Sequence, residues 1–355
     1  MSRPDENLIR DADLRAQLEE HRGKFAFNTM VSHLVDVQAK RDLAAEKAEA
    51  RKTELATMPR DRRKRAIIRE VFENEGPAPD HLRFMHSVLA ICGLPYRRLA
   101  AGTVEYERKQ GRMALVVQAG KLRTPSGERV QQPIPYGPKA RLLMAHLSTD
   151  AVRQNSATIE IADSLSAFMR DMGFAVTGGS KGTIHAFKEQ INALAACSME
   201  VSAWDGVRSS TIKGAPFSKI DVWMPSNPDQ RMLWPSTITF SQDFFDELKR
   251  HALPMDVRAL KAFAGSARKL DMLFWLSYRL KNNATKLNLS WHALQLQFGD
   301  NIGRERDFRA RFALDMEHIR QVFPKLPVDL TEDGLVLHEA DPTVLSLPRP
   351  KTKKR

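Results

Sequence analysis

Cysteine is scarce in this sequence, which holds only Cys92 and Cys197. Neither lies in a CxxC motif or beside clustered histidines, so the pattern favours two reduced thiols over a disulfide framework or a zinc site. Long apolar runs are also missing, since segments such as 272–276 fall far short of the roughly 20 residues that span a bilayer. The first ten residues carry charges where a secretory signal has an apolar block. We therefore expect a protein that is neither exported nor inserted into a membrane.

Two common signatures of catalysis do not fit the sequence either. The glycine-rich stretch 177–183 departs from the phosphate-binding GxxxxGK[ST] pattern, because Gly182 is followed by Thr183. No HxH pair offers metal ligands of the kind that a rolling-circle nickase needs. A Ser/His/Asp triad stays open, since its members can lie far apart in sequence. We expect a protein that is not an enzyme and that uses no cofactor or metal.

Positive charge dominates the composition. Lysine and arginine number 55 against 43 acidic residues, which gives a net charge of +12 and a pI near 9.8. This balance favours polyanionic partners, either nucleic acid or an anionic membrane surface. Residues 60–65 and 349–355 each hold five basic side chains. Both clusters are able to contact phosphates, although a solvated charged face is the commoner meaning of such a run.

Residues 1–79 are predicted to form a helical, charged N-terminal arm. Alanine, glutamate, lysine and arginine dominate 34–72, a strongly helical composition with sparse apolar positions. Pro77 and Pro79 then break any helix, because proline lacks an amide hydrogen and fixes φ. After this boundary we expect a short helix over 80–92 and a hairpin over 106–118, with Gln110 and Gly111 at its turn.

The order of elements after Pro138 predicts a winged helix within residues 80–234. A helix over 140–152 precedes a strand at 158–161, a helix ending at Gly173 and a helix over 184–194. Strands at 199–203 and 218–223, joined by a loop that contains Arg208 and Lys213, would then form the wing. Three helices followed by a two-stranded hairpin are typical of a winged helix.

The same order recurs in residues 235–340, which predicts a second winged helix. A strand at 236–240 and a helix ending at Pro254 lead to a long helix over 257–281. A strand at 287–289, helices over 291–298 and 305–323, and a hairpin of 327–330 with 335–337 follow. The predicted fold class is thus α+β and mainly helical, with two tandem winged-helix domains, the N-terminal arm and a basic tail over 341–355.

The third helix of each module, with the loop before it and the wing of the first module, carries the side chains that we expect to contact DNA. In the last helix, alanines between arginines would let the backbone approach a groove while arginines bond base edges and phosphates. In the first module, free amides at the glycine-rich helix start would suit a phosphate, although a mere turn explains the glycines equally well. The candidate DNA-binding residues are Lys181, Thr183, His185, Lys188, Asn192, Arg208, Lys213, Arg304, Arg306, Arg309 and Arg311.

Several strings resemble the plasmid-encoded RepA replication initiators, and the likeness extends over roughly 94–337. The strings are PYGPKAR at 135–141, SLSAFM at 164–169, TGG at 177–179 with GTI at 182–184, KEQ at 188–190, FF at 244–245, HA at 251–252, SARKLD at 266–271, WL at 275–276 and QFG at 297–299.

The resemblance implies a bacterial cytoplasmic protein that binds repeated sites, called iterons, in a plasmid origin. It further implies that the protein helps to melt adjacent DNA and recruits host replication proteins, including the helicase. The resemblance also implies that the protein can dimerise through its first winged helix, and that the dimer can repress the protein's own gene. The alternative is a plasmid transcriptional repressor or copy-number regulator with no initiator role, since a winged helix does not by itself fix function.

Overall fold

The chain divides into two compact units, Met1–Ala66 and Ile67–Arg355. A computed structural model describes residues 5–123, 127–179, 182–204, 207, 209–221, 237–282, 285–300 and 302–347. The basic run 349–355 and the predicted contacts Lys181 and Arg208 lie outside these described residues. The start of the tail predicted over 341–355 forms a 3-10 turn, Pro342–Leu345, and its Leu345 joins the hydrophobic core.

The N-terminal unit is helical, as its composition predicts. It contains α1 (Ala12–Glu20), α2 (Phe27–Thr57) and the start of α3 (Arg60–Asn74). A small core of Leu14, Leu18, Val31 and Leu34 joins α1 to α2, and the side chain of Gln38 accepts hydrogen bonds from two backbone amides before α1. Beyond Gln38 no residue of α2 is buried, so most of this long helix is exposed to solvent.

The first half of the larger unit contains four helices and ten strands in its described part. They are β1 (Leu82–His86), α4 (Ser87–Cys92), β2 (Glu105–Gln110), β3 (Met113–Gln118), β4 (Lys121–Arg123), β5 (Arg129–Gln131), α5 (Gly137–Gln154), β6 (Thr158–Glu160), α6 (Ala162–Asp171), α7 (Thr183–Ala196), β7 (Ser198–Trp204), β8 (Ser209–Gly214), β9 (Phe217–Asp221) and β10 (Thr237–Phe240).

The second half is richer in helix. It contains α8 (Gln242–His251), β11 (Ala252–Asp256), α9 (Val257–Phe263), α10 (Ala267–Asn282), β12 (Leu287–Ser290), α11 (Trp291–Phe298), α12 (Glu305–Val322), β13 (Val328–Leu330), β14 (Gly334–Leu337) and a final 3-10 turn (Pro342–Leu345). The fold is therefore mixed α and β with helix predominating, which confirms the predicted class in its coarse form.

The two halves share one layout, as the sequence predicts. Helices α5, α6 and α7 have β6 between the first two, and α10, α11 and α12 have β12 in the same place. Each set carries a three-stranded sheet, with the order β6-β10-β9 in the first and β12-β14-β13 in the second. In both sheets the strand between the first two helices pairs with the last strand of the set.

The strand pairing predicted for the first wing is wrong. Residues 209–214, expected to be a loop, form β8 and pair with β7, because a short connection favours local antiparallel pairing. The hairpin β2–β3, predicted correctly with its turn at Gly111 (φ +57°), pairs with β7 and extends this sheet to four strands. Strand β9 pairs instead with β10, so a domain boundary at 234/235 cuts through the sheet of the first half.

Two predicted helices also differ from the structure. Residues 80–92 contain β1 before the short α4, because β1 pairs with β11, some 170 positions later, and that pairing leaves no local signal. The predicted helix 257–281 is broken into α9 and α10 at residues 264–266, where Gly265 weakens the helix and the Ser266 hydroxyl accepts from the amide of Lys269 at 3.4 Å.

The strands β1 and β11 join the two halves with matching geometry. Each runs directly into a helix whose first turn is capped by the last strand residue. The Nδ1 atom of His86 accepts from the amide of Val88, and a carboxylate oxygen of Asp256 accepts from the amide of Arg258. One continuous hydrophobic core then extends from Ile68 to Leu347, so the two halves are packed as a single body of apolar residues.

Candidate nucleic-acid interface

Helix α12 is held by an aromatic cluster along one face. Phe308 and Phe312 are fully buried, and Trp291 of α11 contacts both rings edge to face at 6.4 and 5.9 Å between centroids. The indole nitrogen of Trp291 donates to the carbonyl of Glu332, in the turn between β13 and β14, at 2.9 Å. Helix α12 and the following hairpin are therefore positioned by one side chain of α11, with the opposite face of α12 open to solvent.

The four predicted arginines of this region are all exposed, but they are not equivalent. The guanidinium groups of Arg304, Arg306 and Arg311 have no hydrogen-bond or ion-pair partner in the described part of the chain. The guanidinium of Arg309 instead bonds Glu305 through Nε at 2.8 Å and lies 5.3 Å from the centroid of the Trp291 ring. Of these four, only Arg309 is already engaged by its own helix and by the cluster beneath it.

The start of α7 is closed by a reciprocal pair of threonines. The amide of Thr183 donates to the hydroxyl of Thr177 at 3.1 Å, and the amide of Thr177 donates to the hydroxyl of Thr183 at 3.2 Å. A Cβ on Gly182 would lie 2.3 Å from the carbonyl oxygen of Gly178, so only glycine fits there. These contacts engage the Thr183 hydroxyl within the loop, a role that the sequence pattern alone did not distinguish from DNA contact.

The remaining candidates in the first half differ in exposure. His185 is exposed on α7, whereas Lys188 and Asn192 are half-buried. Burial lowers the pKa of the Lys188 ammonium below its usual value, because the charged form loses solvation. Lys213 on β8 is exposed and lies 3.7 Å from a carboxylate oxygen of Glu200. Only His185 of this set is both fully exposed and on the helix expected to enter a groove.

The stretch 178–182 also spells GxSxG, the pattern of a serine-hydrolase elbow. Such an elbow connects a strand to a helix and holds the serine in a strained turn. Here the preceding element is helix α6, not a strand. The described residues directly before the stretch therefore lack the strand that such an elbow requires.

A buried ion pair links the two halves beneath the exposed faces. Arg141 of α5 bonds Asp271 of α10 through Nε and Nη2, at 2.5 and 2.7 Å, and both side chains are nearly inaccessible to solvent. A second pair also joins the halves: Arg108 of β2 lies 3.7 Å from Asp300, which belongs to the segment between α11 and α12. Charged pairs of this kind fix geometry because leaving either partner alone in the interior is costly.

Sequence reasoning missed two arginines, Arg97 and Arg268, that lie near these elements. Arg97 follows α4 in an irregular segment with no periodic pattern, and its neighbour Arg98 pairs with Glu189 of α7 at 3.1 Å. Arg268 belongs to the SARKLD string and bonds Asp315 of α12 at 2.6 Å. The SARKLD string pointed to Arg268 without giving it a role, and only the abundance of arginine in the chain pointed to Arg97.

Within the part of the chain that the structure describes, no helix is long and apolar enough to cross a membrane. Among the same residues, no group of three or more histidine, cysteine, aspartate or glutamate side chains is arranged to hold a metal ion.

A comparison of the sequence with known protein families gives a match that covers part of the larger unit. Residues 134–293 match the model of a family described as plasmid encoded RepA protein. The match supports the plasmid RepA replication initiator family. It confirms the resemblance seen in the sequence and covers the chain from the start of α5 into α11. The match ends before α12, so the arginines of that helix lie outside it.

No curated protein matches this chain. Two solved structures of domains 2 and 3 of RctB are similar to it. One, of selenomethionine derivatives, covers 71% of this chain and 89% of its own, with 11% identity and a TM-score of 0.39. The other, RctB 155–483, covers 68% and 83%, with 11% identity and a TM-score of 0.41.

Proposed function

We propose that this chain initiates replication of a bacterial plasmid by binding repeated sites in double-stranded DNA through two winged-helix modules. The family match supports the initiator role. The observation that carries the DNA-binding role is the repeat of three helices with a three-stranded sheet of the same order in both halves. In each sheet the strand after the first helix pairs with a later antiparallel strand pair, which supports the assignment to winged-helix modules.

The wing of the first module is formed by other strands than the sequence pattern predicts. Strands β9 and β10 take the place of β13 and β14, and the β7–β8 hairpin is an addition that joins β2 and β3. We assign α7 and α12 as the recognition helices, because the third helix of a helix-turn-helix module enters the major groove.

The two recognition helices offer different side chains for contact with DNA. On α12, Arg306 has no partner in the described part of the chain and can bond two acceptors on one guanine. On α7, exposed His185 and half-buried Lys188 and Asn192 are suited to phosphates and to occasional base contacts. Exposed Lys213 extends this surface in the proposal, and Lys181 and Arg208 are DNA contacts that the sequence alone predicts.

No catalytic step is assigned to the protein in this proposal. An initiator of this kind acts by binding: the occupied repeats help to melt neighbouring DNA, and the bound protein recruits host replication proteins, including the helicase, in the bacterial cytoplasm. Dimers that repress the protein's own gene remain part of the proposal as an accessory state.

A replication test separates this function from the alternative of a plain repressor. DNA flanking the gene is placed on a plasmid without another origin, and the protein is supplied from a second replicon. We expect transformants only when the protein is supplied, with loss of transformants for the Arg306→Ala variant. Repression of a reporter by the protein, without replication of the test plasmid, would show a regulator and not an initiator.

A further inference from the structure

A cleft of about 340 Å³ lies between the two halves of the larger unit. The start of α10, the first turn of α5, the segment after α4 and helix α12 contribute its walls. Its charged lining consists of Arg97, Arg268, Arg311, Asp300 and Asp315. A volume of this size is in the range that holds a small ligand or part of a larger one.

The two acidic residues of the cleft are already paired. A carboxylate oxygen of Asp315 accepts from Nε of Arg268 at 2.6 Å, and the other lies 3.6 Å from Nζ of Lys269. Asp300 accepts from the amide of Tyr96 at 3.3 Å and faces Arg108 at 3.7 Å. These contacts offset the negative charge of the lining.

In the described part of the chain, two of the three arginines in the cleft have no acidic partner to offset their positive charge. Arg97 and Arg311 are exposed, and neither has a hydrogen-bond or ion-pair partner among the described residues. Arg97 and Arg311 line the same cleft with like charges, and an anion bound between them would relieve their repulsion. The arrangement is complementary to a phosphate, which a guanidinium binds through two parallel hydrogen bonds.

The cleft is lined by α12, and the segment that carries Arg97 is tied to the other recognition helix, α7. Arg98 pairs with Glu189 of α7 at 3.1 Å, and the amide of Tyr136, just before α5, donates to Gln190 of α7 at 2.8 Å. Arg311 belongs to α12 itself. Two recognition helices on one duplex occupy major grooves about one helical turn apart, and the DNA backbone that separates those grooves passes between the helices.

We propose that this cleft is a phosphate clamp, in which Arg97 and Arg311 grip the DNA backbone between the two major grooves; it rests on the proposed DNA-binding function. The clamp carries no sequence information, since phosphates are the same at every position. It fixes the distance between the two recognition helices on the duplex and so sets the register in which a repeat is bound.

The test uses the full chain and duplexes that carry one repeat, with single phosphates replaced in turn by neutral methylphosphonates. For the unaltered protein, we expect a loss of affinity at one or two phosphates between the two protected grooves. For the variant with Arg97→Gln and Arg311→Gln, the same replacements should have no further effect. The salt slope of the variant should be smaller by about 0.9 for each arginine that is lost.

Lys325→Gln is the matched control, because Lys325 is an exposed cation just beyond the far end of α12 with no partner in the described part of the chain. This control should keep the methylphosphonate pattern of the unaltered protein. Thermal unfolding should be unchanged in the Arg97 and Arg311 variants, since neither side chain supports the fold.

Two results would overturn the clamp without touching the proposed function. One is an equal methylphosphonate effect in the unaltered protein and the double variant. The other is calorimetric binding of inorganic phosphate that depends on both arginines, with no methylphosphonate effect, which would assign the cleft to a free anion. A protein that binds no repeat at all would contradict the proposed function itself.

Discussion

Arg306 and Arg309 are neighbours on α12, yet their surroundings predict different roles. The sequence pattern gives both a role in base contact, whereas the structure shows that Arg309 is engaged by Glu305 and the Trp291 ring. We expect Arg306→Ala to weaken specific binding by about 1 to 3 kcal/mol and to relax the preference at one base position. Arg309→Ala should act mainly by loosening the packing of α12 on α11.

Binding to a library of mutated repeats measures both effects. Unchanged base preferences for Arg306→Ala, at normal thermal stability, would show that α12 is not the helix that contacts the bases. A loss of stability in Arg309→Ala with unchanged preferences is the expected companion result.

Two buried histidines make stability depend on pH. Burial lowers the pKa of His86 to about 4 and that of His146 to about 3, since the charged imidazolium is poorly solvated there. The unfolded chain binds a proton near pH 6.5, so both folded values lie below the unfolded one. The stability that each neutral, buried histidine contributes is fully present above pH 6.5. It is lost as pH falls toward 4 for His86 and toward 3 for His146.

Urea unfolding between pH 7 and pH 5 checks this prediction. The unfolding free energy should fall by up to about 1.4 kcal/mol per pH unit for each histidine below pH 6.5. His86→Asn keeps a side-chain acceptor for the amide of Val88 and removes one titrating group, so its pH dependence should be about half as steep. The same slope in both proteins would refute the role of His86.

At the scale of elements, periodic helices were predictable and strand partners were not. Helices α5, α7 and α12 follow from apolar residues three and four positions apart, and the β2–β3 hairpin follows from local alternation around Gly111. The β1–β11 pair joins segments 170 positions apart, and pairing at that distance depends on the whole fold. The same limit explains the wrong partner assigned to β9.

The residues of the candidate site also differ in how far the sequence alone could predict their positions. Arginines on a periodic helix such as α12 can be sorted into buried and exposed positions from the sequence alone. Arg97 lies in an irregular segment, so its position in the same cleft as Arg311 depends on how the two halves pack. The contact of Thr183 with Thr177 was likewise hidden, because Thr177 is contributed by a loop without a repeating pattern.

The loop before α7 provides a test at the scale of one element. In Gly182→Ala, the added Cβ would meet backbone oxygens of Gly178 and Thr177 at 2.3 and 2.4 Å. Backbone atoms cannot move aside cheaply, so we expect a loss of about 1 to 3 kcal/mol in unfolding free energy and weaker DNA binding. Gly178→Ala is the control, since a Cβ there has nothing within 4 Å. Equal stability of the two variants would show that this loop is not closely packed.

At the scale of the whole molecule, the net charge of +12 predicts strongly electrostatic binding. If roughly six phosphates are neutralised, the logarithm of affinity should fall with the logarithm of salt concentration at a slope of about −5. Removing residues 349–355 should weaken binding to all sequences alike, because a basic tail contacts phosphates only. A truncation that changed sequence preference and left the salt slope intact would contradict this role.

The central claim, that the chain binds repeated origin sites as an initiator, is tested most directly by footprinting on the DNA that flanks its gene. We predict a ladder of protected repeats, evenly phased, with each protected repeat spanning two successive major grooves. A single protected inverted repeat over a promoter, or no protection at protein concentrations that saturate non-specific DNA, would contradict the account.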